Sequence, residues 1–267
     1  MVLIIAGSGP VGRDGTGPGI NASYLRQLAE GLAARGIATL RYDKRGVGGS
    51  RGAAIPEDQV RIENYVADAG AWVTWLRARN DLGRVIVAGH SEGGLITVLL
   101  ARSTPLDGAV LIAASGRSFG SIVRDQFNAM PMPDALRNEA NAALSALERG
   151  ESVTTLSAPL QPIFRPSVQP YIRSLMAVDP AKETATLTIP LMIVSGGRDI
   201  QIGAADIEAL VRARPDARRF HAPEMSHILT NAPPDREGNL RLYADASTSL
   251  TPGLVEAIAA FVSDVAR

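Results

Sequence analysis

Six short stretches of this chain are apolar at nearly every position instead of every second one: residues 2–6, 37–42, 84–89, 108–113, 191–195 and, more weakly, 217–221. A strand with that pattern has no face to give to water. It must be covered on both sides, which is the condition of a parallel sheet between two layers of helices. The intervening segments supply those helices. Tyr65, Ala69, Trp72 and Leu76 recur at i, i+4, i+7 and i+11, which predicts a stripe carrying Trp72 into the core. Residues 21–35 run to a stop at Gly36, and residues 250–266, with Pro252 near their start, predict a last helix. Alternation of the two patterns argues for an open, doubly wound α/β sheet.

Residues 116–186 depart from the alternation. They hold no strand pattern but three helical stripes: Phe119, Ile122, Val123 and Phe127; then Leu136, Ala140, Ala143, Leu144 and Leu147, stopped by Gly150; then Tyr171, Ile172, Leu175 and Met176 behind Pro170. A structureless loop of that length is rare in a compact domain. The expected organisation is therefore a core of residues 1–115 and 187–267, with 116–186 inserted as a helical cap.

The 267 residues suffice for one such core and its insertion. Without cysteine, the chain cannot form disulfides, thiolate metal sites or a thiol nucleophile. Three histidines (His90, His221, His227) and no His-Glu-x-x-His pattern point away from a metal centre, and no cofactor is implied. With 27 basic and 27 acidic residues the net charge is zero, so there is no electrostatic footprint for nucleic acid or an anionic membrane. The opening apolar run is too short for a signal core or a membrane span, so the chain as it stands reads as cytoplasmic.

Two glycine-rich motifs compete for the chemistry. Gly7-Ser8-Gly9-Pro10-Val11-Gly12 follows the first strand and matches the dinucleotide fingerprint of flavin and nicotinamide enzymes. That fingerprint must open a helix, whereas Gly15, Gly17, Pro18 and Gly19 delay any helix to about residue 20. Gly89-His90-Ser91-Glu92-Gly93-Gly94 instead joins a strand to a helical pattern, the context in which Gly-x-Ser-x-Gly lifts a serine above a sheet edge. A serine needs a base, and the base an orienting carboxylate. Asp199, in Gly196-Gly197-Arg198-Asp199, stands just beyond the fifth strand, at the sheet edge where ligands bind. Its rival Asp206 falls in the next helical pattern and reads as a surface residue; Ser115 leaves no carboxylate after the fourth strand. For the base, His227 lies in a loop beyond the last strand and is preferred to the strand-end His221. His90, beside the serine, reads as structural.

These segments resemble the α/β-hydrolase superfamily, in its bacterial serine esterase and S33 serine-aminopeptidase-like branch, over nearly the whole chain. Arg41-Tyr42-Asp43-Lys44-Arg45-Gly46-Val47-Gly48-Gly49-Ser50 resembles the family's D-x-R-G-x-G-x-S stretch, and Ala6 replaces the histidine of its His-Gly-x loop. The resemblance implies a Ser91–His227–Asp199 triad and an oxyanion hole from the backbone amides of Ser8 and Glu92. It also implies hydrolysis of short to medium acyl carboxylic esters through an acyl-enzyme. An amidase or aminopeptidase is the alternative, with Glu92 pairing a substrate ammonium; a flavin- or NAD-dependent oxidoreductase using the Gly7-to-Gly12 loop, or a binding protein on an inactive hydrolase fold, stands further off. Asp43 and Arg45 are expected to brace loops, and Arg13 and Asp14 to line the rim or pair with each other. About six strands are expected, without the family's usual first two. That would leave the strand from Ile37 to Tyr42 as an edge covered by upstream residues, which could also have carried a secretion signal, or by another copy in a homo-oligomer.

Overall fold

All six apolar runs become strands, and every neighbouring pair is parallel. The computed structural model describes residues 1–267. Its strands β1 (Val2–Ile5), β2 (Thr39–Arg41), β3 (Ile86–His90), β4 (Gly108–Ile112), β5 (Leu191–Gly196) and β6 (Arg218–Ala222) form one sheet in the order β2-β1-β3-β4-β5-β6. The helices are α1 (Tyr24–Ala33), α2 (Ile62–Arg77), α3 (Glu92–Ser103), α4 (Phe119–Ala129), α5 (Asp134–Glu148), α6 (Gln161–Phe164), α7 (Gln169–Met176), α8 (Pro180–Ala185), α9 (Ala204–Ala213), α10 (Arg236–Arg241) and α11 (Leu254–Ala266).

Successive residues of one strand serve opposite layers, which is why the runs are apolar throughout. Val2 and Ile4 pack with Leu25, Leu28 and Leu32 of α1 and with Ile258 and Val262 of α11. Leu3 and Ile5 face Val73 and Leu76 of α2 and Ile96 of α3 on the other side, and Leu111 and Ile193 meet Leu210 of α9 there. The sheet is thus wound on both faces, with β2 and β6 as its edges.

The stripe expected on α2 is displaced. Its buried residues are Ile62, Ala69, Val73 and Leu76, while Trp72 and Trp75 remain 36% and 48% exposed. Ala69 and Val73 are the small side chains that let α2 lie close to its neighbours. Trp72, one residue round the helix, falls on the rim, with the Tyr42 ring tilted against it at 5.8 Å and Trp75 edge-on at 6.0 Å.

Residues 116–186 are helical, as their stripes predict, and leave the sheet after β4 to return before β5. Phe127 of α4, Leu144 and Leu147 of α5, Phe164 of α6 and Ile172 of α7 enclose an apolar cluster of their own, separate from those on the sheet. The short α6 and α8 gave no period to read. Arg165 and Ser167 both bond Glu57, and the Ile62 amide donates to Ser174 Oγ, so the segment is tied to the loops before α2.

Candidate active site

The turn from β3 into α3 is crowded enough to specify its residues. A Cβ at Gly89 would sit 2.0 Å from the Gly93 carbonyl oxygen; one at Gly93 would sit 2.4 Å from the Ile5 carbonyl oxygen, and one at Gly94 2.4 Å from Ala114 Cβ. Between them Ser91 takes φ 54°, ψ −120°, a conformation that costs a non-glycine residue about 1–3 kcal/mol. The turn is held there because the Ser91 N–H donates to the Ile112 carbonyl at 2.8 Å and the Gly94 N–H to the Ser91 carbonyl at 2.9 Å. Ser91 therefore sits at the N-terminus of α3, where the helix dipole favours negative charge.

Asp199 lies in the loop after β5 and is fully engaged. Its Oδ1 accepts from the amides of Gln201 at 2.8 Å and Ile202 at 2.9 Å, and its Oδ2 receives a 2.8 Å hydrogen bond from His227 Nδ1. His227 is buried in the loop after β6. With Nδ1–H committed to the carboxylate, Nε2 carries the lone pair. No hydrogen bond joins Ser91 Oγ to His227 in this state; the two border one cavity of about 80 Å³.

His90 is buried against this arrangement. Its Nε2 lies 2.8 Å from the His227 carbonyl oxygen, which can only accept, so Nε2 carries the proton and Nδ1 accepts from the Tyr24 hydroxyl at 3.5 Å. Burial, with the neighbouring His227 ring 4.7 Å away, pushes the His90 pKa down to about 3 and keeps it neutral. A tie between the residue before the serine and the distant histidine loop was not visible in the sequence; only the tertiary fold brings residues 90 and 227 together. His221 is elsewhere: exposed on the edge strand β6, it bonds Ser195 Oγ at 3.0 Å.

Several expectations need correction. Asp206 is fully buried, accepting from the amides of Gly116 and Arg117 and from the Arg117 guanidinium at 2.8 Å, because the first turn of α9 packs against the chain leaving β4. Arg13 and Asp14 do not pair with each other: Arg13 bonds Asp43 at 2.7 Å and Asp14 bonds Arg41 at 2.9 Å, since the loop after β1 lies along the end of β2. Asp43 also accepts from Gly49 N–H, and Arg45 pairs with Asp68, so both brace loops as expected. The Gly7-to-Gly12 loop opens no helix. A Cβ at Gly7 would lie 3.1 Å from His90 Nδ1 and from Ser91 Cβ, so its close approach is to the serine turn, not to a pyrophosphate.

Around the serine, the amides of Ser8 and Glu92 donate to no protein acceptor. The Glu92 side chain is buried and paired with Lys44 at 3.3 Å. Ser8, Ser91 and Glu92 line a second, larger cavity of about 300 Å³, walled by Phe119, Ile122, Phe127 and Met130 of the helical segment and by Leu175, with Arg117 and Gln126 as polar members.

A family model for serine aminopeptidase, S33, matches residues 17–234. Esterase EstD of Thermotoga maritima is 30% identical over 238 residues, covering 85% of this chain but 54% of that protein, so the chain spans about half the length of the curated relative it matches. Among solved structures, Est1E of Butyrivibrio proteoclasticus superposes with a TM-score of 0.60 at 17% identity, covering 98% of this chain and 88% of the other. The esterase Pf2001 of Pyrococcus furiosus also gives 0.60, at 15% identity, covering 100% and 82%. At those identities the likeness is one of fold, and the fold is that of the α/β-hydrolases. From the extent of the family match and the shared fold, the chain belongs to the serine aminopeptidase S33 family of α/β-hydrolases.

Proposed function

We propose that the protein is a carboxylesterase that acts through an acyl-enzyme on Ser91. The observation that carries this reading is the set of groups around the serine: a strained nucleophile at a helix N-terminus, two amides without partners beside it, and a histidine whose lone pair is fixed by a buried carboxylate. In this reading Ser91 Oγ attacks the acyl carbon while His227 Nε2 takes its proton. The gap between them closes as substrate orders the site, since apo geometries of this kind are often long. The developing oxyanion is met by the amides of Ser8 and Glu92, each such donor being worth about 3 kcal/mol. His227 then protonates the leaving alcohol, and water repeats the attack on the acyl-enzyme. Asp199 keeps the imidazole in the required tautomer throughout.

The substrate reading follows from the two cavities. The alcohol must leave beside His227, so it occupies the cavity of about 80 Å³; the acyl group takes the one of about 300 Å³ that touches Ser91 but not His227. The helical segment 116–186 walls the acyl side and acts as a cap that limits chain length. Each buried methylene gains roughly 0.8 kcal/mol until that wall is reached. Esters are favoured over aminoacyl substrates because both carboxylates of the site are engaged: Glu92 is neutralised by Lys44, and Asp199 is committed to His227 and two backbone amides, so neither is left to meet an ammonium. EstD and Est1E, named as esterase or bound to ferulic acid, support the class.

The test is a chain-length series of chromogenic esters beside one aminoacyl anilide, with Ser91→Ala as control. Short to medium acyl esters should be turned over fastest, and a fluorophosphonate should label only the parent. Undiminished labelling of Ser91→Ala, an anilide that beats its matched ester, or a long-chain triglyceride that beats a butyrate would overturn the reading.

A further inference from the structure

Lys44 is 2% exposed, and its ammonium has two acceptors: the Glu92 carboxylate at 3.3 Å and the carbonyl oxygen of Gly7. The Tyr65 ring lies 5.3 Å from the same nitrogen. Burying an ammonium carries a desolvation penalty even when it is paired, and a loop can be braced by a less buried pair, as Arg45 and Asp68 do a residue away. The placement has a geometric consequence. The chain has no cis peptide, so the C=O of Gly7 and the N–H of Ser8 lie on opposite edges of one rigid plane and point in opposite directions. Holding the oxygen aims that N–H away from Lys44, and Ser8 is a residue that shares a cavity with Ser91. The second contact grips residue 92, whose amide is the other donor without a partner. A hydrogen bond accepted by a carbonyl also polarises the N–H of the same amide.

Resting on the esterase reading above, we infer that Lys44 is a positioning residue for the oxyanion site, fixing the Gly7–Ser8 peptide plane against the first turn of α3 so that both amides converge on one oxygen. Glu92 is the counter-ion that holds the cation in place. Gly7 lacks a side chain because a Cβ there would press on His90 and Ser91 at 3.1 Å, and the peptide could not then lie flat against the serine turn. Lys44 touches no substrate, so its contribution falls on the transition state alone.

The experiment compares the parent with Lys44→Met, an unbranched neutral side chain of similar length, using two inhibitors. An alkyl boronic acid forms a tetrahedral adduct with the serine and places an oxygen at the oxyanion position; the ether isostere of the same ester cannot. Removing one oxyanion donor outright costs about 10²–10³ in kcat, so misaiming one should cost about 10- to 50-fold, with KM held within about threefold. Boronate affinity should fall by a comparable factor and ether affinity stay unchanged. Equal weakening of both inhibitors, or an unchanged kcat and boronate affinity, overturns the role of Lys44. A parent that does not prefer the boronate refutes the oxyanion site itself, and the role of Lys44 with it. Should Lys44→Met fold poorly, Lys44→Arg decides: a loss of several-fold confined to kcat and the boronate supports the inference, and equal effects on both inhibitors overturn it.

Discussion

Replacing Ser91 by glycine should make the protein more stable than replacing it by alanine, although both variants lose the serine hydroxyl. At φ 54°, ψ −120° the backbone adopts the conformation of the first central residue of a type II′ turn, a position dominated by glycine because any Cβ is crowded there. The strain held by a non-glycine residue is about 1–3 kcal/mol. Alanine keeps all of it, since the turn is pinned by the bonds to Ile112 and Gly94 and cannot relax. Glycine releases it, at the cost of about 0.5–1 kcal/mol of extra chain entropy in the unfolded state. The difference is roughly 0.5–2 kcal/mol in favour of glycine. At roughly 2–4 °C per kcal/mol for a chain of this size class, it is a rise of about 1–8 °C in Tm. Calorimetry or urea unfolding of the two variants under identical conditions measures it. An alanine variant as stable as the glycine variant, or more so, would show that Ser91 stores no strain and that the turn is dictated by its glycines alone.

Three further outcomes are expected. Asp199→Asn should keep the fold but lower kcat by about 10³–10⁴ with little change in KM, because an amide can hold the wrong tautomer of His227; steady-state kinetics decide, and a loss under tenfold would remove Asp199 from the mechanism. The His90 pKa is about 3 in the folded chain against an ordinary 6.5, so the unfolded state binds the extra proton first and stability is lost as pH falls from about 6.5 towards 3. Urea midpoints between pH 7 and 4.5 should therefore decline more steeply for the parent than for His90→Gln, and parallel slopes would contradict a neutral buried His90. Gly89→Ala brings a methyl to 2.0 Å from the Gly93 carbonyl oxygen and 2.4 Å from Thr97 Oγ1. It should destabilise by about 1–3 kcal/mol or more and abolish esterase activity together, which thermal melts and an ester assay read side by side.

The sheet was legible because burial on both faces leaves a mark at every position of a strand; all six runs reappear within two residues of their predicted ends, although this trims β2 to three residues. The long helical stripes of α4, α5 and α7 were legible for the same reason. Trp72 misled because the stripe that rightly held Ala69 and Leu76 was continued through the large Trp72, where close helix packing takes the smaller Val73 one position on. Asp206 misled because its period places it on a helix, while its burial depends on where the chain leaving β4 happens to lie. Around the candidate site, Ser91, Asp199 and His227 could be picked out by motif and chain order. Lys44 and His90 could not: each acts on a backbone carbonyl, of Gly7 and of His227, and a carbonyl has no letter in the sequence.

The parallel sheet has a consequence for how the molecule comes into being. No two neighbouring strands are joined by a hairpin; Val2 must find Ile86 and Ala109 must find Leu191 across whole helical connections. Such long loops close slowly, so the fold accumulates late and cooperatively. The Ser91 N–H is held by the Ile112 carbonyl of β4, Gly93 two residues on lies against the Ile5 carbonyl of β1, and the His227 carbonyl is tied to His90. On the proposed function, a chain still zipping up its sheet therefore carries a serine no more reactive than any other, and the proposed nucleophile is born only when the central strands have closed around it.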